Sequence, residues 1–514
     1  MGSRLLPRVA ALAFLLAGAA PLRGQCPDGT PPPCAAQLPP PAPTSVAVLY
    51  FRSLSTDTAD AYLAEGLTDA LITRLGQVRR LTVMSRSAVA RFRGRASWAP
   101  AEVGRALRVA NLLTGELRRA GRRYRITVEL TRASTGVVLW SEQYTRAGDD
   151  LLGIEEDVSR AVTGGVVGRL LPEERAQLSG RLTRNGAAYA HFLKGNAYLA
   201  QRNPAAALGA LSEYETAARL DTSFAEALAR VAITHEFFLD WGWTYRALPQ
   251  ESLLARGFAE ADRALAMDPV SSDAWMARGL LLAKRAPRTY EGAVPALERA
   301  VALDPRNAEA WHQLGAVRWH LGGDSAAFDA SRRALDAEPG RAITFFQLAL
   351  IAETSRRMAE AERWLDSTIA ADPTFAYAYA LRAYGRAHDG NLRAAREDAD
   401  NAVQLGGVNR LPGGAALILV TALTGDTTAA RARLAALPSF FVDSTRLTFR
   451  EGLFAASAAL AAGATDRALT FLELVQPRGA ELWTGLRLPA FDPLRSEPRF
   501  QRLVEQASPS GPRP

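Results

Sequence analysis

The segment DPRNAEAWHQLG, residues 304–315, contains the pattern that decides the fold of this chain. Its elements recur every 34 residues in three interlocked series. The series are the prolines Pro305, Pro339 and Pro373, the large rings Trp311, Phe345 and Tyr379, and the alanines Ala327, Ala361, Ala395 and Ala429. A repeat of this length indicates a pair of antiparallel helices. Because one pair cannot bury its apolar face alone, we expect successive pairs to stack.

The repeat continues less regularly on both sides of this segment. Upstream, Trp275 opens a unit that carries two extra residues, and downstream the pattern fades after Gly406. Ala468 and a last apolar helix indicate that further pairs follow. We therefore predict seven to eight units over residues 185–480, followed by a C-terminal cap and tail over residues 481–514.

An insertion interrupts the array at residues 237–250, FFLDWGWTYRALPQ. It carries Trp241 and Trp243, and two exposed tryptophans would form a candidate contact for a partner, since large apolar groups are seldom left in water on a monomer. The alternative is a flap that folds back onto the array.

Residues 311–315, WHQLG, reproduce the W-x-x-L-G opening of the tetratricopeptide repeat (TPR). Together with the spacing, this opening makes residues 185–480 resemble a TPR array. The resemblance implies an all-α superhelix whose concave groove is lined by the first helix of each pair.

Groove positions follow from the register of that resemblance. Those with side chains suited to binding a partner are Met276, Lys284, His312, Trp319, His320, Phe346, Tyr377, Tyr384 and His388. Aromatic side chains in such a groove predict binding of an extended or helical peptide. The alternative is that neighbouring units or an inserted segment cover these rings.

Two other ligand types are disfavoured at the predicted groove. His312 and His320 are eight residues apart and could meet on one helix face, but no cysteine or close carboxylate pair completes a metal site. Lys284 is the single groove lysine, so the clamp with which some TPR proteins read a peptide C-terminus is not evident. We predict no metal and no cofactor.

A different pattern covers residues 45–175. Residues 46–51, VAVLYF, predict a strand buried on both faces, and leucines at intervals of four residues over 63–75 predict a helix. Residues 124–130 alternate between apolar and polar side chains, which is typical of a strand with one wet face. The predicted order is β-α-β-α-β-β-β-α, an α+β domain with a mixed sheet, followed by the helical array.

The segments SVAVLYF, LTVMSRSAV and LLTGELRRAGRRYRITVEL in this domain resemble the TolB-amino-terminal-like domains, which are related to FlgO-like domains. Such domains often precede TPR arrays in bacterial signalling and envelope proteins. Most of them have proline where this chain has Tyr50, a departure that concerns a local turn. The resemblance implies no catalytic residues.

Basic residues concentrate in this domain, because residues 79–125 contain thirteen arginines and two glutamates. Five of them flank a predicted hairpin turn: Arg118, Arg119, Arg122, Arg123 and Arg125. They form a candidate patch for anionic lipid or glycan. The alternative is an exposed face that only adds solubility.

The N-terminus has the features of an export signal over residues 1–25. Arg4 and Arg8 precede an apolar run over 9–20 that is too short to span a bilayer comfortably. We therefore predict cleavage and a periplasmic or secreted protein, and export disfavours nucleic acid as a partner. A lipoprotein modified at Cys26 and an uncleaved anchor remain alternatives.

Residues 26–44 are predicted to be a stiff proline-rich linker, since residues 27–43 contain eight prolines. The two cysteines of the chain, Cys26 and Cys34, lie within it. In an oxidising compartment they could close a small disulfide loop or remain free thiols. Their spacing fits neither a CxxC redox pair nor a zinc site.

Composition and motifs together point to a binding protein. Apolar residues make up 48% of the chain, which supports packed cores and argues against global disorder. The sequence contains no GxSxG, HExxH, P-loop or GxGxxG motif in the proper context. We predict a non-enzymatic scaffold for a peptide or protein partner, with no small-molecule substrate. A sensor whose basic domain binds an anionic surface is the alternative.

Overall fold

The computed structural model describes residues 40–509 with gaps. The gaps are residues 56, 91, 95–97, 122, 148–150, 180–181, 202, 241–247, 407–410, 437–446, 448 and 477–478. The predicted signal over 1–25, both cysteines and most of the linker therefore lie outside the described residues.

A mixed sheet organises the first domain. Its strands are β1 (Ser45–Val48), β2 (Arg52–Ser53), β3 (Thr82–Val83), β4 (Asn111–Ala120), β5 (Arg123–Arg132) and β6 (Val138–Ala147). The order is β3-β1-β4-β5-β6, with β2 paired to β4. β1 runs parallel to both neighbours, and β4, β5 and β6 form an antiparallel meander. An α+β domain therefore precedes the helical repeats, as predicted.

Helices accompany this sheet. They are α1 (Thr58–Gly76), α2 (Arg86–Ala90), α3 (Pro100–Leu107), α4 (Leu151–Val167) and α5 (Pro172–Ser179). The leucines that predicted α1 are all buried, as are the inward side chains of β5, Ile126, Val128 and Leu130. Burial of one stripe of α1 against one face of the sheet forms the core of the domain.

The first predicted strand is interrupted, and a short helix, α2, was not predicted. The Phe51 amide leaves the ladder and donates to the Thr68 hydroxyl at 3.0 Å. The Phe51 ring covers Gly115, where a Cβ would overlap it. Of the run over 46–51, only residues 46–48 therefore lie in β1, and β2 begins just after the run, because contacts far along the chain compete with strand pairing.

Nine helix pairs follow in the described residues. They are α6 (Gly186–Leu199) and α7 (Pro204–Leu220), α8 (Ala225–Asp240) and α9 (Gln250–Met267), α10 (Ser272–Arg285) and α11 (Ala293–Leu303), α12 (Ala308–His320) and α13 (Asp324–Ala337), α14 (Ala342–Thr354) and α15 (Met358–Ala371), α16 (Ala376–His388) and α17 (Leu392–Leu405), α18 (Leu411–Leu423) and α19 (Thr427–Ala435), α20 (Phe449–Ala461) and α21 (Thr465–Glu473), and α22 (Ala480–Leu486) and α23 (Pro498–Ala507). A 3-10 turn, Pro489–Leu494, joins the last two.

Recurrent side chains end one pair and begin the next. Asp268 and Asp304 cap the C-termini of α9 and α11, and each accepts the backbone N–H two residues later. Ser271 and Asn307 then cap the following helices by accepting the N–H three residues on. These local hydrogen bonds fix a tight reversal between pairs.

The helix contacts show which face of the array is the inner one. The first helices of neighbouring pairs pack closely, as α8 does on α10, α16 on α18 and α18 on α20. No comparably close contact joins second helices within the described ranges. The first helices therefore line the inner, concave side, and the second helices form the outer side.

The α+β domain docks directly on the array. Helix α1 packs on α6 so closely that a Cβ at Gly66 would overlap the Leu193 carbonyl. A second contact joins the Ser85 amide to the Pro339 carbonyl at 3.2 Å. The domain thus touches both the first pair and a turn four pairs further on.

Candidate functional site

The predicted groove residues lie on the inner helices α10, α12, α14 and α16, but most are covered. Met276 is 1% exposed, Trp319 5%, Tyr384 8% and His312 9%. Phe346, Tyr377 and His320 are half-buried, and His388 is exposed. At the four buried positions the predicted groove is therefore filled.

The C-terminal helices of the same chain provide much of this cover. Phe454 of α20 lies 5.7 Å from the Tyr377 ring, and Phe449 packs edge-on against His320 at 6.4 Å. Trp483 of α22 lies so close to Gly322 that a Cβ there would sit 2.9 Å from the indole. Tyr377 and His320 are thus covered by C-terminal helices of the chain, whereas the alternative given above named neighbouring units or an inserted segment.

Helix α22 presents one polar face to the inner side of α10 and α12. Glu481, Thr484 and Arg487 are spaced by three residues, so their side chains share a face. The Glu481 carboxylate lies 3.2 Å from the Lys284 amine. The Thr484 hydroxyl donates to the Ala480 carbonyl of its own helix at 2.9 Å and also lies 3.3 Å from the His320 carbonyl. Arg487 pairs with Asp324 at 2.8 Å. We call this contact the closing joint.

Three carboxyl groups surround the Lys284 amine at the closing joint. The amine lies 2.6 Å from Asp240 and 3.8 Å from Glu236, both on α8. Burial alone would lower the pKa of Lys284, but Asp240, Glu481 and Glu236 together raise it well above its ordinary value. Burial raises the pKa of Glu236, so this carboxyl is the member of the cluster that holds a proton. Lys284 is therefore charged and faces two ionised carboxylates.

Neighbouring groups complete the closing joint. The Tyr290 hydroxyl lies 3.2 Å from the Glu481 carboxylate and donates to it. The Ala480 amide donates to the Pro287 carbonyl at 2.8 Å. Burial lowers the pKa of His320 to about 4, so its ring is neutral at pH 7.

The two histidines of α12 have separate surroundings. His312 packs beside Thr344, whose hydroxyl lies 3.3 Å from its Nδ1. His320 lies between the rings of Tyr290 and Phe449. Among the described residues, no group of three or more histidine, cysteine or acidic side chains is arranged to hold a metal ion.

The basic hairpin joins β4 to β5 and divides into two parts. Arg118, Arg123 and Arg125 are exposed, and Arg118 lies directly opposite Arg125 across the strands. Arg119 instead pairs with the buried Asp60 at 2.7 Å, so its charge is neutralised within the domain. Arg122 lies outside the described residues.

Trp241 and Trp243 also fall in a gap of the described chain, so the predicted contact at the insertion stays a prediction. None of the described helices has both the length and the apolar character needed to cross a membrane.

Sequence reasoning found Lys284 but missed its partners. Glu236 and Asp240 lie four residues apart at the end of α8, which extends into the first four residues of the predicted insertion. Glu481 lies almost two hundred residues after Lys284. The available signal was the rarity of lysine, because Lys194 and Lys284 are the only two in the sequence.

Comparisons with known proteins give partial similarities. No protein-family model matches the chain. A curated protein of Rhizobium meliloti, "Putative adenylate cyclase 3", is 30% identical over 235 residues, which cover 45% of this chain and 39% of that protein. The chain therefore spans well under half of the length of that relative.

Solved structures of TPR proteins are among those that resemble this chain. YrrB, described as a TPR protein with an unusual peptide-binding site, is 18% identical, covers 39% of this chain and 95% of its own, and has a TM-score of 0.28. TTC0263 of Thermus thermophilus, also a TPR protein, is 20% identical with coverages of 39% and 98% and a TM-score of 0.33. Yeast Tom70 is 14% identical with coverages of 70% and 82% and a TM-score of 0.39.

Proposed function

We propose that this protein is an exported, non-enzymatic scaffold that holds a protein partner on the inner face of its TPR-like array. The observation that carries the proposal is the stacking of nine helix pairs with their first helices turned inward. Stacked pairs create one extended concave surface, which is suited to a peptide or a helix of a partner. The signal-like residues 1–25 support export.

Site-specific photo-crosslinking in living cells tests the scaffold. A benzophenone amino acid at Phe346 or His388 samples the inner helices without disturbing a fully buried side chain. Met358, at the exposed start of the outer helix α15, is the matched control position. We expect the same discrete adduct from both inner positions and none from Met358. Adducts at all three positions, or at none, would show that the inner face is not the specific binding surface.

A second candidate role belongs to the α+β domain. Arg118 and Arg125 face each other across two strands although like charges in that position repel. We propose that an anionic surface relieves this repulsion when it binds to them and to Arg123. The resemblance of this domain to TolB-amino-terminal-like domains is compatible with either role.

Vesicle binding by the full chain tests this second role. We expect binding to phosphatidylglycerol vesicles at low salt, with loss at high salt because exposed charges are screened. Replacing Arg118, Arg123 and Arg125 with glutamine should abolish it. The control replaces Arg393 and Arg396, which are exposed on α17. Equal binding by both variants would contradict the assignment.

The name of the matched Rhizobium protein makes adenylate cyclase the first activity to test. We propose that the present chain lacks it, since the sequence carries no nucleotide-binding motif and the match covers 39% of that protein. Purified chain incubated with ATP and Mg²⁺ or Mn²⁺ is expected to form no cyclic AMP. Formation above the level of a heat-inactivated sample would overturn this proposal.

A further inference from the structure

Two of the apolar cores of the array meet at the closing joint. One core comprises side chains from α8 to α13, including Leu281 and Leu314. The other extends from α16 to the C-terminus and includes Leu482 and Leu486 of α22. Helix α22 therefore gives its apolar side chains to the C-terminal core, and only Ala480 belongs to the other one.

Polar contacts connect the two parts. Besides the three pairs made by α22, Arg356 forms a two-pronged ion pair with Asp492 at 2.7 Å, and the Arg288 guanidinium donates to the Ser508 carbonyl at 3.1 Å. Separation at such a contact exposes these charged groups to water, and the apolar contacts that it breaks are those of Ala480, Trp483 and Phe449. A surface of this composition resembles a transient interface more than a core.

The polar face of α22 matches the inner surface in charge and spacing. Glu481 meets the cation Lys284, and Arg487 meets the anion Asp324. Thr484 lies between them, with its hydroxyl 3.3 Å from the His320 carbonyl of α12. The inner surface therefore distinguishes one orientation of a helix, since a reversed helix would place like charges together.

We propose that the inner surface of α10 and α12, with Asp324 at the start of α13, is a docking site for a helix bearing Glu, Thr and Arg at positions i, i+3 and i+6. Helix α22 occupies this site until a partner helix of this kind displaces it. The proposal rests on the scaffold function proposed above and specifies the chemistry of the partner. Binding in this mode lays one face of a helix into a groove. Lys284 and Asp324 set the polarity of the bound helix.

Occupation of the docking site by α22 of the same chain lowers the apparent affinity of the site for a partner helix. A segment tethered in the same chain has an effective concentration on the order of millimolar, so an outside helix must compete with it. Weakening α22 without changing the groove should therefore strengthen binding of an outside helix. An increase in affinity would therefore show that α22 can be displaced, whereas a permanent structural cap would give no increase.

The test uses the full chain and a fluorescent peptide that copies residues 479–494, with binding measured by fluorescence anisotropy. The opened variant carries Glu481→Gln and Arg487→Gln, which leave Lys284 and Asp324 in place. We expect it to bind the peptide about tenfold more tightly than wild type, because two charge pairs that hold α22 are lost. Circular dichroism verifies that each variant is folded.

Two controls identify the docking site. Adding Lys284→Met and Asp324→Asn to the opened variant should return the affinity to the wild-type level. Arg487→Gln alone leaves the buried Lys284 cluster intact, so this single variant replaces the double variant if the latter does not fold. It should bind the peptide about threefold more tightly than wild type, since one partly exposed ion pair is lost.

Either of two results overturns the proposal: a folded opened variant that binds the peptide no better than wild type, or a gain that survives loss of Lys284 and Asp324. Failure of the scaffold function looks different, since inner-face crosslinks would be absent while the peptide still bound the opened variant.

Discussion

Glu353, next to last in α14, is a carboxylic acid on an inner helix with little access to water. Its side chain is buried at 6% exposure, and no cation or hydrogen-bond donor of the described residues pairs with its carboxylate. Burial raises the pKa of Glu353 from 4.5 to about 8. The protein therefore holds this side chain protonated at neutral pH.

The raised pKa makes stability depend on pH with a definite sign. In the unfolded chain the carboxyl ionises near pH 4.5, whereas in the folded state it keeps its proton to about pH 8. The free energy of unfolding therefore decreases as the pH rises from 4.5 to 8, because only the unfolded state releases the proton there. At about 1.4 kcal/mol for each pKa unit, the loss reaches about 3 kcal/mol at pH 7.

Glu353→Gln removes the ionisation but keeps the shape. We expect this variant to be more stable than wild type by up to about 3 kcal/mol at pH 7, with the difference vanishing near pH 4.5. Urea unfolding followed by far-UV circular dichroism at both pH values measures it. Glu505→Gln, at an exposed position of α23, is the control and should change stability at neither pH. A Glu353→Gln variant that is less stable than wild type at pH 7 would show that the carboxylate has a partner and refute the reasoning.

Three further predictions follow from the docking of the parts and from the N-terminus. Lys284→Met should lower the free energy of unfolding by about 3 kcal/mol at pH 7, because it leaves buried carboxylates unpaired, and a urea midpoint equal to wild type would contradict this. Gly66→Ala should cost about 1–3 kcal/mol because the new methyl overlaps the Leu193 carbonyl, whereas Gly76→Ala, where a Cβ meets nothing within 4 Å, should cost little; equal melting temperatures would refute the close docking. Residues 1–44 fused to alkaline phosphatase should give an active enzyme in a bacterial host, since the phosphatase folds only after export, and an inactive, intact fusion would argue against an export signal.

Local patterns predicted much of the fold. The 34-residue interval anticipated helix pairs from α12 to α17, because an acidic residue followed by a proline recurs at each turn between pairs, at 304–305, 338–339 and 372–373. The alternation over 124–130 anticipated β5 and its buried side chains. The break between β1 and β2 was not predictable, since it depends on Thr68 and Gly115 far along the chain.

The sequence predicted which helices carry the candidate site residues, but not that other side chains of the chain cover them. The register placed Lys284, Trp319 and Tyr384 on inner helices, where they lie. It gave no information on what faces those helices, because the covering side chains of α20 and α22 approach from the far end of the array. The sequence repeat shows which side of each helix faces inward, but not which distant segment packs against that side. The contact of Glu481 with Lys284 depends on how strongly the stack of helix pairs curves between them.

Hydrogen–deuterium exchange of the wild-type chain tests the central claim most directly, that the inner face is closed by a polar, reversible contact. The reporter is the amide group of Ala480, which donates across the closing joint to Pro287, with the amides of residues 481–487. The account predicts that these amides exchange faster in 1 M than in 0.1 M salt, on the order of tenfold, while those of α18 do not change. Salt weakens the partly exposed pairs of Arg487 with Asp324 and of Arg356 with Asp492 and leaves the apolar core around α18 intact. Equal protection of both segments at both salt concentrations would contradict it.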